Sequence, residues 1–124
     1  MSKAEVPLAP RNPAPSPQSF QEFWPHYLRA HQNPRCRGLH YAGNTLALIC
    51  LAMLVATGQW WWVLIGTACG YGCAWIGHFL VEANKPAAFR HPLWSFRGDW
   101  QMYGLWLTGR LEPHLKAAHE LRAL

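Results

Sequence analysis

The middle of the chain lacks charge. Residues 38–81 contain no Asp, Glu, Lys or Arg, although the chain as a whole has 11 basic and 6 acidic residues. One polar break at residues 57–59 divides this stretch into apolar segments at residues 39–56 and 60–81. Each approaches the roughly 20 residues that a helix needs to cross a bilayer core. So short a chain has too little remaining sequence to cover both segments in a soluble domain, so we predict an antiparallel transmembrane helical hairpin.

Three further absences narrow the class of protein. The four cysteines show neither zinc-ribbon spacing nor a paired disulfide framework, and we interpret them as small buried thiols. The basic residues behind the net charge of +5 form no nucleic-acid-binding motif, so we expect no nucleic-acid partner. Residues 1–18 are rich in Pro and Ala and lack the apolar core of a signal peptide. They predict a disordered tail before a single helical membrane domain at residues 19–124.

The positions of the basic residues predict an orientation in the membrane. They precede the first apolar segment and follow the second, at Arg29, Arg35, Arg37, Lys85, Arg90 and Arg97. The turn between the segments has none, so by the positive-inside rule we expect both termini on the cytoplasmic side of a bacterial inner membrane or an ER-like membrane. Trp60, Trp61 and Trp62 lie beside that turn, where indole rings favour the opposite interface.

Shorter helices are predicted on both sides of the hairpin. Ser19 and Glu22 have the spacing of a capping box, which predicts the start of a helix with an aromatic stripe. Two prolines within residues 84–94 predict a loop. Residues 100–111 are apolar but too short to span a bilayer, so they predict an interfacial or re-entrant helix that Pro113 interrupts, before an amphipathic tail. The expected fold class is all-α.

Small residues recur in the second apolar segment. Gly66 and Gly70 form a small-xxx-small pattern, and Gly72 and Gly77 extend the small surface. Close helix packing explains this pattern. The second explanation is a groove for an acyl chain, left by the missing side chains, and the sequence does not separate the two.

The antiparallel hairpin brings distant histidines to one membrane face. His40 lies at the start of the first segment, His78 lies near the end of the second, and His31 closes the aromatic stripe. Glu82 follows His78 by one helical turn, so an imidazole and a carboxylate can reach one point. Two histidines and a carboxylate are the ligands of non-haem Fe(II) oxygenases. A three-histidine or a four-ligand site remains equally open.

Other polar groups collect on the same face. Asn84, His91 and Asp99 lie there, and the part that His91 and Asp99 take in a site is left open. A single histidine at such a boundary is more often an interfacial hydrogen-bonding residue than a metal ligand. When three histidines and a carboxylate occur together, a metal site is as well supported as the interfacial role.

Six motifs follow one another along the chain, and they include the histidines and Glu82. In chain order they are His31-Gln-Asn33-Pro34, Arg37-Gly-Leu-His40-Tyr-Ala-Gly43, Gly70-Tyr-Gly72, Ala74-Trp75-Ile-Gly77-His78-Phe79, Glu82-Ala-Asn84-Lys-Pro86-Ala87 and His91-Pro92-Leu-Trp-Ser95. This series resembles the Mpo-like membrane family, which includes a fungal ER-membrane 2-hydroxy fatty acid dioxygenase. The resemblance covers roughly residues 20–109. It implies an Fe(II)-dependent enzyme that uses dioxygen to shorten a 2-hydroxy fatty acid by one carbon. His31, His40, His78 and Glu82 are then the implied metal and catalytic residues.

Two alternatives from other classes remain. The hairpin can serve as a non-enzymatic scaffold or assembly factor, whose histidines anchor the interface and whose glycines pack against a partner. The same ligands also suit a metal-dependent lipid hydrolase, in which water is the nucleophile. Metal analysis separates the scaffold from the enzymes, and dependence on dioxygen separates the two enzymes.

Overall fold

The computed structural model describes residues 16–86 and 89–123, and within these ranges it is all-helical without strands, as predicted. The predicted tail at residues 1–18 lies almost entirely outside the described residues. The helices are α1 (Phe20–Arg29), α2 (Pro34–Thr57), α3 (Trp61–Ile76), α4 (Pro92–Leu107) and α5 (Leu111–Ala123), and the π-helical segment Gly77–Glu82 continues α3.

Helix α1 begins where the capping pattern predicts. The hydroxyl of Ser19 accepts a hydrogen bond from the backbone N–H of Glu22, and the Glu22 carboxylate accepts one from the backbone N–H of Gln18. These bonds satisfy donors that have no partner within the helix. The aromatic stripe of α1 is buried against α4 and α5, where the indole N–H of Trp24 donates to His114 Nδ1 at 3.1 Å.

Helices α2 and α3 form the hairpin. Gly58 ends α2 in the left-handed conformation (φ 66°), which glycine adopts without steric cost. The two helices approach closely at Gly43 and Gly66, where an added Cβ would lie 3.1 Å from the Gly70 carbonyl oxygen or from the Cys50 Cβ. Close packing therefore explains two of the small residues.

The apolar surface of the molecule is divided unequally. Aromatic and aliphatic side chains of α1, α2, α4 and α5 form a buried core at one end. Large apolar side chains elsewhere on the hairpin are exposed, including Val55 at 80% and Leu80 at 78%. Both hairpin helices, α2 and the continuous 22-residue helix Trp61–Glu82, are long and apolar enough to cross a membrane.

The segment after the hairpin differs from the prediction in three ways. Helix α4 begins at Pro92, so the predicted loop at residues 84–94 is shorter, because proline is well accommodated in the first helical turn. The predicted helix at residues 100–111 is instead the end of α4, and Gly109 (φ 70°) lies in the turn that follows it. Pro113 does not interrupt a helix there, because it lies in the first turn of α5.

Candidate metal centre

Three imidazoles from three parts of the chain meet in the buried end of the molecule. His31 lies in the turn after α1, His40 in the second turn of α2, and His78 in the π-helical segment. One ring nitrogen of each lies within 4.8 Å of the other two. The Nε2 atoms of His31 and His40 are 3.1 Å apart. All three side chains are buried, with exposed fractions of 0%, 3% and 2%.

Backbone carbonyls fix the orientation of the first two rings. The Nδ1–H of His31 donates to the carbonyl oxygen of Tyr27 at 2.6 Å, and that of His40 donates to the carbonyl oxygen of Cys36 at 2.9 Å. A carbonyl oxygen only accepts hydrogen bonds, so the proton of each neutral ring is on Nδ1. The Nε2 atom of each ring therefore carries a lone pair.

The side-chain amide of Asn84 fixes the third ring. Its Nδ2 donates to the carbonyl oxygen of Ala30 at 3.0 Å, so its Oδ1 faces His78. This oxygen accepts the Nδ1–H of His78 at 2.7 Å. The free lone pair of His78 is then also on Nε2.

The donor set fits a divalent metal ion. Metal-binding histidines usually donate the N–H that does not face the metal to a carbonyl or carboxylate oxygen, which sets the tautomer. All three histidines here do so. Two lone pairs 3.1 Å apart repel each other unless a cation lies between them. Imidazole ligands suit iron, zinc, copper and nickel.

The surroundings of His31 keep its ring neutral. Burial lowers the pKa of His31 well below the usual 6.5, and charge on His40 or His78 would lower it further. The neutral imidazole is the form that binds metal. The site is therefore ready to bind a cation without first losing a proton at neutral pH.

Tyr27 and Asp99 form a pair beside the cluster. The Tyr27 ring stacks on His31 with centroids 4.1 Å apart, and its hydroxyl donates to the Asp99 carboxylate. Burial raises the pKa of Asp99 from 3.8 to about 6, against the opposing effects of Tyr27 and His78. Burial and the Asp99 charge raise the pKa of Tyr27 well above 10. Tyr27 therefore packs against one face of the His31 ring, and Asp99 holds its hydroxyl.

The π-helical segment places His78 and the residues after it. Ala83 ends the segment in the left-handed conformation (φ 53°), and its N–H, together with that of Asn84, donates to the carbonyl oxygen of His78. Gly77 allows the segment to approach α2, because an added Cβ would lie 2.9 Å from the Cys36 Sγ. Single π-helical turns inside α-helices are frequent at functional sites.

Glu82 lies near the cluster but is not one of the three grouped side chains. Its carboxylate accepts a hydrogen bond from the backbone N–H of Asn33, in the turn that carries His31. Arg37 supports the same turn, since its guanidinium donates to the carbonyl oxygens of His31 and Gln32, each at 2.8 Å. Both charged side chains therefore hold the backbone around His31.

His91 lies outside the cluster. Its ring stacks on Trp94 and meets the edge of Phe23, with centroids 5.1 and 5.4 Å apart.

Asp99 lines a small cavity together with the three histidines. Sequence reasoning did not single out Tyr27 or Ser95, which line the same cavity. Their spacing is a sequence signal, since Tyr27 lies one helical turn before His31 and Ser95 one turn before Asp99. Ser95 also ends one of the family motifs.

The fold and the site define a helical protein with two candidate membrane-spanning helices and a buried three-histidine group that can hold a metal ion. The sequence model of the family described as 2-hydroxy-palmitic acid dioxygenase Mpo1-like matches residues 17–111. The chain belongs to this family, which confirms the resemblance found in the motifs. No curated protein and no solved structure matches the chain.

Proposed function

We propose that the protein is a membrane-embedded, Fe(II)-dependent dioxygenase that shortens a 2-hydroxy fatty acid by one carbon. The observation that carries the proposal is the set of three buried histidines, each donating Nδ1–H to an oxygen and leaving Nε2 free. The family description supports the reaction class and the fatty-acid substrate. We propose the exposed apolar hairpin as the part that lies in the bilayer.

His31, His40 and His78 would hold the iron. When bound, Fe(II) supplies a centre to which dioxygen and the hydroxyl and carboxylate oxygens of a 2-hydroxy acid can bind together. Three protein ligands leave positions open for these groups. Glu82 remains the predicted fourth ligand, although its carboxylate in this structure bonds to Asn33.

The chain's own residues orient the ligands and exclude water. Tyr27, Cys36 and Asn84 hold the Nδ1 protons of the three imidazoles on the side away from the shared point. The cavity beside the histidines has a volume of only about 20 Å³, so little bulk water enters. Among the basic residues near this face, Arg35, Arg37, Lys85 and Arg90 are candidates to attract the substrate carboxylate.

The reaction needs no additional reductant. A 2-hydroxy acid and one dioxygen molecule contain the same atoms as the acid one carbon shorter, carbon dioxide and water. The carbon–carbon bond beside the carboxylate breaks, the substrate loses four electrons, and dioxygen accepts them.

The decisive experiment combines metal analysis with turnover. Protein purified without oxygen is loaded with Fe(II) and given 2-hydroxyhexadecanoic acid, and we expect one iron per chain and oxygen-dependent formation of pentadecanoic acid. His40→Ala and His78→Ala should lose both iron and product, whereas His119→Ala, at an exposed position in α5, should keep both.

Other outcomes identify the competing functions. Hydrolysis of a lipid without oxygen consumption would identify a metal-dependent hydrolase. Absence of stoichiometric metal, together with co-purification of another membrane protein, would identify a scaffold. Activity that survives both histidine substitutions would contradict the ligand set.

A further inference from the structure

A larger apolar cavity adjoins the small cavity at the histidines. It has a volume of about 250 Å³ and is lined by α2, α3 and the first half of α4. Four residues line both cavities, namely Tyr71, Ala74, Ser95 and Asp99. The two cavities therefore share a wall beside the cluster, and we call the larger one the hairpin groove.

The length of the hairpin groove matches an acyl chain. Along α2 it extends from Asn44, beside Asp99, to Leu54, ten residues further on. At 1.5 Å per residue this is about 15 Å. One leaflet of a bilayer core, which a lipid acyl chain crosses, is also about 15 Å deep.

A polar group faces the junction of the two cavities. The Ser95 side chain is 4% exposed, and its hydroxyl is buried without a hydrogen-bond partner in the described structure. An unpaired buried hydroxyl is unfavourable, so a ligand that supplies an oxygen or hydroxyl here gains a hydrogen bond. The groove thus has a polar end at the histidines and an apolar remainder.

Gly70 keeps the polar end of the groove open, because it lies level with Gly43, next to Asn44. It lines the groove, and an added Cβ would meet nothing within 4 Å. Gly43 and Gly66 differ, because the facing helix fills the corresponding space. The glycines of the hairpin therefore divide between helix packing and an open groove, and both explanations of the small residues apply.

We infer that the hairpin groove holds the hydrocarbon tail of the substrate, with the Ser95 hydroxyl bonding its polar head beside the three histidines and Gly70 leaving room for the first carbons of the tail. The inference rests on the proposed dioxygenase function for the identity of the head group. The occupant is the tail of a 2-hydroxy fatty acid, because the apolar space ends at a polar, metal-binding centre.

A photolabelling experiment tests the occupant without requiring turnover. The probe is 2-hydroxyhexadecanoic acid with a diazirine near the end of its tail, added to the detergent-purified full chain, and peptide mapping locates the label. We expect labelling near Leu54 and Trp62, the far end of the groove, and competition by unlabelled acid. Two results would overturn the inference. One is label confined to the outer faces of the hairpin. The other is a phosphatidylcholine diazirine that labels the groove and is not competed out by the acid.

Two glycine variants test whether the tail passes Gly70. Gly70→Leu should weaken binding of both the sixteen-carbon and the eight-carbon 2-hydroxy acid, by about fourfold for each methylene it displaces, because those methylenes lie close to the head group. Gly72→Leu is the matched control, because Gly72 also has open space but does not line the groove. Equal affinities of the two variants for these acids, with iron content and helicity unchanged, would contradict the role of Gly70.

The serine is tested by one further variant and by a probe without a polar head group. Ser95→Ala should weaken binding of 2-hydroxyhexadecanoic acid by about threefold to tenfold, the usual loss of one neutral hydrogen bond, without changing the iron content. Binding of hexadecane-chain probes that lack polar head groups should not change.

Correct labelling of the groove without oxidation of any 2-hydroxy acid would refute the dioxygenase and leave the groove as a fatty-acid site. Oxidation without groove labelling would refute the groove alone.

Discussion

The tautomers of three histidines determine the chemistry of this site. Tyr27, Cys36 and Asn84 each accept the Nδ1 proton, so the remaining lone pairs face one point. Histidine rings that only anchor a membrane interface would turn a polar edge to water. These rings are buried instead, and their orientation is the one that a cation needs.

Asn84 is the residue whose loss should affect metal binding without removing a ligand. Asn84→Ala removes the acceptor for His78 Nδ1 and should weaken Fe(II) affinity about 10- to 100-fold, the usual effect of losing such a partner. Asn84→Asp keeps the acceptor and should retain much more affinity. Anaerobic titration with a competing chelator measures the difference, and equal affinity in the alanine variant and the parent would contradict this role.

The metal-free protein should become less stable as pH falls. The folded pKa of His31 lies well below its unfolded value of 6.5, so acid protonates the unfolded chain preferentially. The contribution of His31 to the free energy of unfolding is complete above about pH 7.5. Below pH 6.5 it falls by at most ~1.4 kcal/mol per pH unit. Asp99 has the opposite effect on stability. Its pKa is raised to about 6 in the folded state, so the folded protein loses stability as pH rises from 4 to 6.

A comparison of variants isolates the His31 contribution. Thermal unfolding of metal-free parent and His31→Gln protein is measured in detergent between pH 5.5 and 7.5, with Asp99 present in both. The difference in stability between the two proteins should decrease as pH falls. A difference that grows with acid would mean that His31 is charged in the folded state.

At the scale of elements, the π-helical segment and the turn after α1 form one unit. Glu82 and Asn84 at the end of the segment bond to Asn33 and Ala30 in that turn. Through these bonds the end of α3 holds the turn that carries His31 against the helix that carries His40. The sequence spacing places Glu82 one turn after His78 but does not reveal these contacts with the turn after α1.

Two variants of Glu82 separate a ligand from a support. Glu82→Gln keeps an oxygen for the Asn33 N–H, so a supporting role predicts nearly unchanged Fe(II) binding, and Glu82→Ala should weaken it about 10-fold or more. If Glu82 binds the metal, both variants should lose affinity strongly. Fe(II) titration of the two proteins distinguishes the roles.

At the scale of the whole molecule, apolar exposure is separated from the buried core. The aromatic core and the histidines lie at one end, and the hairpin carries exposed Leu, Val, Ile and Trp side chains over the rest of its length. In water such a surface would drive association, whereas hydrocarbon solvates it at no cost. This distribution supports a hairpin in a bilayer with the site at one interface.

If both hairpin helices cross the membrane, both ends of the chain should lie on one side of it. Epitope tags at both ends should be removed together by protease added to inside-out vesicles, and both should survive in right-side-out vesicles, if the histidine face is cytoplasmic. Loss of one tag in each preparation would exclude an even number of crossings. Extraction of the protein by carbonate would exclude spanning altogether.

The sequence by itself determined the hairpin, because an uncharged stretch of this length with one turn leaves few alternatives for helices in a membrane. It also determined that His40 and His78 share one end, since antiparallel helices joined by a short turn must bring those positions together. The family motifs predicted the same residues as a site.

Only the tertiary structure decided which nitrogen each histidine offers and where Glu82 bonds. Those features depend on a π-helical turn and on contacts between residues about 50 positions apart, such as Ala30 with Asn84 and Asn33 with Glu82. Local spacing assumes 3.6 residues per turn and carries no information on such distant partners. The groove likewise requires three packed helices, so no single stretch of sequence reveals it.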